Sequence, residues 1–226
     1  MENNTNNDLQ KKPNIKMIGI ILAVVILIVL VVVALTSNKG SENNNTEVNT
    51  ETGTNTEQTQ PIVNEAGEEV EVVVTESGQI IPEGSRVEVA GANPIKDNIV
   101  VTPKGEAAKN DAVPMSPDAP QQTPPMPKAE LPSSAIKLDV SATGFSPSSF
   151  EVKAGAPTTL SVTSADDSTH VFMFDDNALQ AVAIGVGPGE TRAITFNAPA
   201  TSGEYTFRCD VPGHSMRGEV GKMIVK

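Results

Sequence analysis

The chain is poor in the residues on which much protein chemistry depends. Its 226 residues include one cysteine, two histidines, one tyrosine and no tryptophan. A single cysteine excludes an internal disulfide, so cysteine usage does not indicate the redox compartment. Basic residues are also scarce, since 16 lysines and arginines against 28 acidic residues give a formal net charge of -12. The basic footprint of a nucleic-acid-binding protein is absent, and we expect no nucleic-acid partner.

One long apolar run lies near the N-terminus. Residues 17–36 contain no charged side chain, and a helix of about 20 apolar residues spans a bilayer. The run is too long for a cleaved signal peptide and a poor cleavage site follows it, so we favour an uncleaved signal anchor. Lys11, Lys12 and Lys16 precede the run, and basic flanks stay in the cytoplasm. We therefore predict a cytoplasmic tail at 1–16, a single membrane span, and a C-terminal part in the periplasm or on the cell surface.

The stretch 37–133 is acidic and then rich in proline, and we expect it to be a linker. Its first part, to about Gln60, offers almost nothing to bury, which predicts disorder. Residues 62–103 alternate apolar and polar side chains as exposed strands do. We favour a flexible segment with strand tendency there, because a lone hairpin is marginal in water. The alternative, short hairpins that pack on the following domain, is left open. Residues 113–132 predict an extended spacer.

From residue 134 to 226 the sequence changes to short β-branched or aromatic runs separated by Gly, Pro, Asp and Ser. Several short strands at this spacing predict an all-β domain, a small sandwich or barrel. Only residues 176–185 could supply a turn of helix. Alternation along one run puts Tyr205, Phe207 and Cys209 on the same face. The sulfur should therefore point inward with the aromatic side as its strand ends.

The soft-metal side chains are concentrated in this domain. Cys209 and His214 are separated by a short loop that contains Pro212 and Gly213, and His170 opens a hydrophobic run upstream. In a sandwich, the start of one strand and the end of another can meet at the same end, which would bring two imidazoles and one thiolate together. Two histidines, one cysteine and a weak axial donor are the ligands of mononuclear blue-type copper sites.

Residues 134–226 resemble the cupredoxins, in particular the small bacterial plastocyanin- or azurin-like type. Four of the family's motifs are matched: F-x-P with V-x-x-G at 145–155, P-G-E-T at 188–191, G-x-Y-x-F-x-C at 203–209, and C-x-x-P-G-H-x-x-x-G at 209–218. The resemblance implies a Greek-key β-sandwich with one copper ion on His170, Cys209 and His214. It also implies single-electron transfer to and from redox-protein partners, with His214 as the electron port. We expect a monomer.

The chain departs from the family at one ligand position. Where the family carries an axial methionine five residues after the second histidine, this chain has Glu219. Three interpretations stay open: Glu219 binds axially through oxygen, Met216 swings in after a loop shift, or the site is three-coordinate or takes water or a backbone carbonyl. An anionic oxygen would favour Cu(II) and lower the potential relative to a thioether.

The expected function is a membrane-tethered electron carrier that is not an enzyme. A dinuclear copper centre needs a second cysteine, and copper oxidases and nitrite reductases need more than two histidines. Cys209 and His214 lack an orienting partner for nucleophilic catalysis. Two alternatives stay open: copper binding, storage or delivery without electron transfer, and a metal-free interaction domain. Zinc would also accept Cys and two His, but a fourth good ligand is uncertain.

Overall fold

The computed structural model describes residues 58–75 and 78–226, and these belong to one compact unit. The predicted membrane span at 17–36 and the first part of the predicted disordered stretch lie outside the described residues. Within the described residues, no helix has the length and apolar character needed to cross a membrane. The described chain is built of strands, with only short 3₁₀ turns as helical structure.

The strands that precede the predicted domain are short. They are β1 (Gln58–Val63), β2 (Glu69–Val74), β3 (Ile80–Pro82), β4 (Ile95–Lys96) and β5 (Ile99–Val100). The first three form an antiparallel sheet in the order β1-β2-β3, and the last two form a small antiparallel pair. The alternating pattern of 62–103 thus forms strands in the structure, which differs from the flexible segment favoured from composition.

Nine further strands make the sandwich in the described chain. They are β6 (Ile136–Ser141), β7 (Gly144–Ser146), β8 (Ser149–Val152), β9 (Pro157–Ser164), β10 (His170–Phe174), β11 (Ala183–Val186), β12 (Thr191–Asn197), β13 (Gly203–Cys209) and β14 (Val220–Val225). A five-stranded sheet has the order β11-β10-β13-β14-β8, and a four-stranded sheet has the order β12-β9-β6-β7. The pairs β8–β14 and β6–β9 are parallel. The predicted all-β sandwich is confirmed, and the predicted helical turn is the 3₁₀ turn Asn177–Leu179.

The core between the two sheets contains all the phenylalanines of the chain. Each of the six is buried in one cluster with aliphatic side chains of both sheets. Phe207 is its centre, with ring centroids 4.9 Å from Phe172 and 5.2 Å from Phe145. Such edge-to-face and tilted ring pairs add to the free energy gained by burying apolar area. On β13, Phe207 and Cys209 are buried and Tyr205 packs against the same core, so the predicted inward face is confirmed.

On β9 and β12, the outer face of the four-stranded sheet is also largely buried, although it is polar. Leu160 and Ile194 point into the core, so the alternate positions on β9 and β12 face outward. Yet Thr159 is only 4% exposed and Thr195 is 0% exposed. Their hydroxyls lie 3.0 Å apart, and the Thr159 hydroxyl donates to Glu88 at 3.1 Å. A segment that precedes the sandwich in sequence therefore covers this face.

This covering segment comprises residues 85–131, called here the extension. Val89, Ala92 and Leu131 form a second apolar cluster with Ala193 of β12. The extension also pairs with the β12 backbone, because the Thr123 N–H donates to the Ala193 carbonyl at 2.8 Å and the Ala193 N–H donates to the Thr123 hydroxyl at 3.0 Å.

The segment 113–132, expected to be an extended spacer, contacts the sandwich through Thr123, Met126 and Leu131. The segment supplies hydrogen-bond partners for the edge strand β12. Its prolines lack an N–H group, and they fall at positions other than those that donate to β12. Its composition resembles a linker because the face it covers is built of small Thr, Ser and Ala side chains that need few large apolar partners. The compact unit accordingly begins well before the boundary expected at residue 134.

A chain that begins at residue 134 should be less stable than one that begins at residue 58. Removing the extension exposes the Val89–Ala193 cluster and leaves the Ala193 N–H without its partner. We expect a loss on the order of 3 kcal/mol in the free energy of unfolding. Urea unfolding of the two chains measures it, and a chain from residue 78 is the control, since it keeps the extension. Equal midpoints for all three chains would contradict the assigned packing.

Gly221 on β14 should tolerate no side chain. A Cβ there would meet the Phe207 ring and the Ser148 carbonyl oxygen. We expect Gly221→Ala to lower the free energy of unfolding by roughly 1–3 kcal/mol, the usual result of overpacking a core. Gly185→Ala on β11 is the matched control, because a Cβ at Gly185 meets no atom within 4 Å. Thermal unfolding of both variants checks the difference, and equal melting temperatures would contradict the close packing of Phe207 and Ser148 around Gly221.

Candidate metal centre

Two neighbouring strands bring the first histidine and the cysteine together. His170 is the first residue of β10 and Cys209 is the last residue of β13. The two strands are antiparallel, with Phe172 opposite Cys209, so the start of one strand lies beside the end of the other. The ladder continues past the strand end, because the Asp210 N–H donates to the Val171 carbonyl at 2.8 Å.

The loop between β13 and β14 supplies the other two side chains. His214 precedes the 3₁₀ turn Ser215–Arg217, and Gly218 ends that turn with a φ of 102°. This left-handed conformation favours glycine and returns the chain toward the site. The Cys209 N–H then donates to the Glu219 carbonyl at 2.9 Å, which places Glu219 next to the cysteine just before β14 begins.

Four ligand atoms converge at this end of the sandwich. The Cys209 sulfur lies 3.9 Å from Nδ1 of His170 and 3.5 Å from Nδ1 of His214. Oε2 of Glu219 lies 2.8 Å from Nδ1 of His170 and 2.9 Å from Nδ1 of His214. All four atoms are within 4.8 Å of one another. The structure thus brings together His170, Cys209, His214 and Glu219 of the predicted set.

These separations fit donors that share one ion. A nitrogen and a sulfur that each lie about 2.0–2.3 Å from a metal are roughly 3.5–3.8 Å apart at tetrahedral or trigonal angles. An oxygen and a nitrogen at right angles around the same metal are roughly 2.9 Å apart. One thiolate, two imidazoles and one carboxylate oxygen suit copper, and zinc accepts the same donors.

The structure separates the two axial candidates. The Glu219 side chain is 0% exposed and its Oε2 lies among the other donors. Met216 is 90% exposed within the 3₁₀ turn, so its thioether lies in solvent. In this conformation Glu219 lies among the other three candidate donors, and Met216 does not.

Asp166 is a site residue that sequence reasoning missed. Its Oδ1 lies 3.0 Å from Nε2 of His170, and the N–H groups of Ser168 and Ala142 donate to its two oxygens at 2.9 and 2.8 Å. The hydrogen bond with His170 is the main cause that lowers the Asp166 pKa to about 2. A carboxylate on the far ring nitrogen fixes the orientation of a ligating histidine. The available sequence signal was that His170 needs such a partner and that a polar turn precedes it.

The Cys209 sulfur is buried and accepts a hydrogen bond from the Val171 N–H at 3.3 Å. Burial raises the pKa of the thiol above its ordinary value, although N–H groups of Val171 and Val211 oppose this effect. Without a metal, the buried sulfur therefore favours its neutral form. A metal that binds here must displace the thiol proton.

Glu219 combines burial with several donors. Burial alone would raise the pKa of Glu219, but hydrogen bonds from His170, Cys209, His214 and Arg217 outweigh it, so the pKa lies below its ordinary value. Arg217 donates from Nη2 to the second oxygen, Oε1, at 2.9 Å. The sequence carries no signal for this ion pair, because a charged residue in a loop is usually solvated.

Fold and site together define a β-sandwich with a His–Cys–His cluster at one end. Residues 121–225 match the sequence model of a family described as the cupredoxin-like domain, so this part of the chain is similar to that family. No curated protein matches the chain.

Several solved structures are similar to part of this chain. Auracyanin from the photosynthetic bacterium Roseiflexus castenholzii is 23% identical, with 42% of this chain and 98% of that chain covered and a TM-score of 0.38. An amicyanin variant is 21% identical, with 45% and 91% covered and a TM-score of 0.34. The metal-binding domain of the Cu(I)-exporting P-type ATPase CopA of Streptococcus pneumoniae D39 is 20% identical, with 42% and 90% covered and a TM-score of 0.33. At these identities and TM-scores the likeness carries no argument about function.

Asp166→Asn should weaken metal binding at the centre. The variant keeps the shape of the side chain but loses the charge that orients His170, and we expect affinity for copper to fall about 10- to 100-fold. Competition with a chromophoric chelator measures the change. Asp167→Asn is the matched control, since Asp167 is the exposed neighbour in the same turn. An unchanged affinity in Asp166→Asn would show that the Asp166–His170 contact has no role in binding.

Proposed function

We propose that this protein binds one copper ion at His170, Cys209 and His214 and carries single electrons by cycling between Cu(I) and Cu(II). The observation that carries this proposal is the convergence of the only cysteine of the chain with its only two histidines, within 3.9 Å of the sulfur. The chain has no other soft donors of these two kinds, and all of them lie at one end of the sandwich.

The scaffold suits the small reorganisation that fast electron transfer requires. When bound, copper would supply the one-electron couple. His170 and Cys209 are held by paired strands, and the Val171 N–H fixes the direction of the sulfur. Asp166 accepts from Nε2 of His170, which directs Nδ1 toward the sulfur and the carboxylate. The donors therefore keep their positions without help from a metal.

His214 is the proposed route for electrons between the centre and the surface. Its side chain is 13% exposed, whereas those of His170 and Glu219 are 0% exposed. Pro212 and Met216, two residues before and two residues after it in the sequence, are exposed, so two exposed apolar side chains belong to the same loop as the accessible ring. Redox-protein donors and acceptors would dock there.

An electron carrier that is not an enzyme fits the burial of the centre. Three of the four donors are at most 1% exposed, so a substrate has no direct approach to them in this conformation. We further propose that the protein is a monomer and that the predicted anchor at 17–36 holds it to the membrane. The domain would then work on the extracytoplasmic side, in the periplasm or at the cell surface.

Glu219 is the proposed axial donor, through Oε2. Its Oε2 lies 2.8 and 2.9 Å from the two imidazole nitrogens, which supports an oxygen that would bind the same ion as both imidazoles. The same carboxylate supports a second candidate function, copper storage or delivery, because an anionic oxygen stabilises Cu(II) more than a thioether does. The two functions differ in whether bound copper is reduced and reoxidised reversibly.

Copper loading of the full chain in detergent tests the proposal. We expect Cu(II) to produce an intense thiolate-to-copper band in the visible spectrum and a reversible wave in voltammetry. Cys209→Ser should abolish the band. Met216→Leu is the matched control and should keep both signals, because Met216 lies in solvent.

The other outcomes separate the alternatives. Tight binding with a band but no reversible wave would support storage or delivery. Binding of zinc in preference to copper, or no band at all, would overturn the copper proposal and favour a zinc site or a metal-free interaction domain. A changed potential in Met216→Leu would overturn the assignment of Glu219 as the axial donor.

A further inference from the structure

The two oxygens of the Glu219 carboxylate have different partners. Oε2 faces the nitrogens of His170 and His214, whereas Oε1 accepts a hydrogen bond from Arg217 at 2.9 Å. The Glu219 side chain is 0% exposed and that of Arg217 is 49% exposed. The ion pair thus joins the interior of the candidate centre to the protein surface.

The loop geometry holds this pair in place. Arg217 and Glu219 flank Gly218, whose φ of 102° turns the backbone sharply between them. The Glu219 N–H donates to the His214 carbonyl at 3.3 Å and the Gly218 N–H donates to the Ser215 carbonyl at 3.1 Å. These two backbone hydrogen bonds hold the turn, and the Arg217 guanidinium contacts Oε1 of Glu219.

The charges explain what this contact does. Once a metal has displaced the thiol proton, a buried carboxylate lies beside a buried thiolate, and charges at low dielectric interact strongly. The guanidinium of Arg217 is permanently charged and binds carboxylates with directed N–H groups. It therefore withdraws charge from Glu219, and its bond to Oε1 leaves only Oε2 to face the other donors.

We propose that Arg217 is a positioning residue that keeps Glu219 a one-oxygen donor and sets the preference of the centre for Cu(II) over Cu(I). This inference rests on the proposed copper function. Without the guanidinium, the carboxylate carries its full charge and is free to offer both oxygens. Because a harder and more negative donor stabilises Cu(II) more than Cu(I), losing Arg217 shifts the centre toward Cu(II).

The experiment compares variants of the full chain in detergent. Dissociation constants for Cu(I) and for Cu(II) are measured by chelator competition, and the visible band is recorded. We expect Arg217→Gln to increase the preference for Cu(II) over Cu(I) about tenfold, as expected for one nearby charge at partial exposure. Arg217→Lys should restore most of the wild-type preference. Arg192→Gln is the matched control, because Arg192 pairs with Glu190 at 3.3 Å and contacts none of the four donors in the described hydrogen bonds.

A second measurement needs no metal. In the metal-free protein, the imidazole nitrogen NMR signals of His170 and His214 report how Oε2 faces the two rings. Arg217→Gln should move these signals, whereas Arg192→Gln should leave them unchanged. Circular dichroism confirms that each variant is folded, which we expect because Arg217 is half exposed.

A double-variant test separates a route through Glu219 from a simple surface charge. In a Glu219→Met background, Arg217→Gln should no longer change the Cu(II) preference. An equal change in that background would overturn the inference, as would an unchanged preference in Arg217→Gln with wild-type copper signals. The absence of a copper band in the wild-type protein would overturn the proposed function. Unmoved imidazole signals in metal-free Arg217→Gln would overturn the positioning role, whether or not copper binds.

Discussion

The antiparallel pairing of β10 with β13 is the constraint on which the candidate centre depends. It sets Phe172 opposite Cys209, so that His170 extends past the end of β13 and meets the sulfur. Beneath this contact, the rings of Phe172 and Phe207 pack at 4.9 Å in the core. A slip of one residue in this pair would turn the sulfur to the opposite face. The aromatic core and the metal donors therefore depend on the same register.

Carboxylates on both sides of His170 determine the electrostatics of the centre. Asp166 lies at Nε2 and Glu219 at Nδ1, at 3.0 and 2.8 Å. A buried charge is tolerated only when it is paired and hydrogen-bonded, and Glu219 meets this condition through Arg217. Asp166 is partly exposed and accepts hydrogen bonds from two backbone N–H groups. Ionised oxygens can thus remain close to a buried sulfur, where a metal ion would balance the remaining negative charge.

The extension gives the sandwich a second covered face. Ordinarily the outer face of an antiparallel sheet is polar and solvated, and the Thr residues of β9 and β12 fit that pattern. Here those hydroxyls are buried and bonded to one another and to Glu88. The extension also occupies the edge of β12, since it exchanges hydrogen bonds with Ala193. One segment therefore protects both a sheet face and a sheet edge.

The sequence by itself determined the strands of the sandwich, the inward parity of Cys209 and the identity of three candidate donors, and it left the fourth open between Glu219, Met216 and neither. These follow from alternation with a period of two and from local loop chemistry, which depend on neighbouring residues only. The tertiary structure decided that Glu219 rather than Met216 lies among the donors, that Asp166 and Arg217 are their partners, and that the extension packs on the sheet. Each of these contacts joins groups from different strands and loops, and neither composition nor local spacing predicts which groups meet. The physical reason is that a hydrogen bond or ion pair is selected by three-dimensional proximity and burial, both of which exist only once the chain has folded.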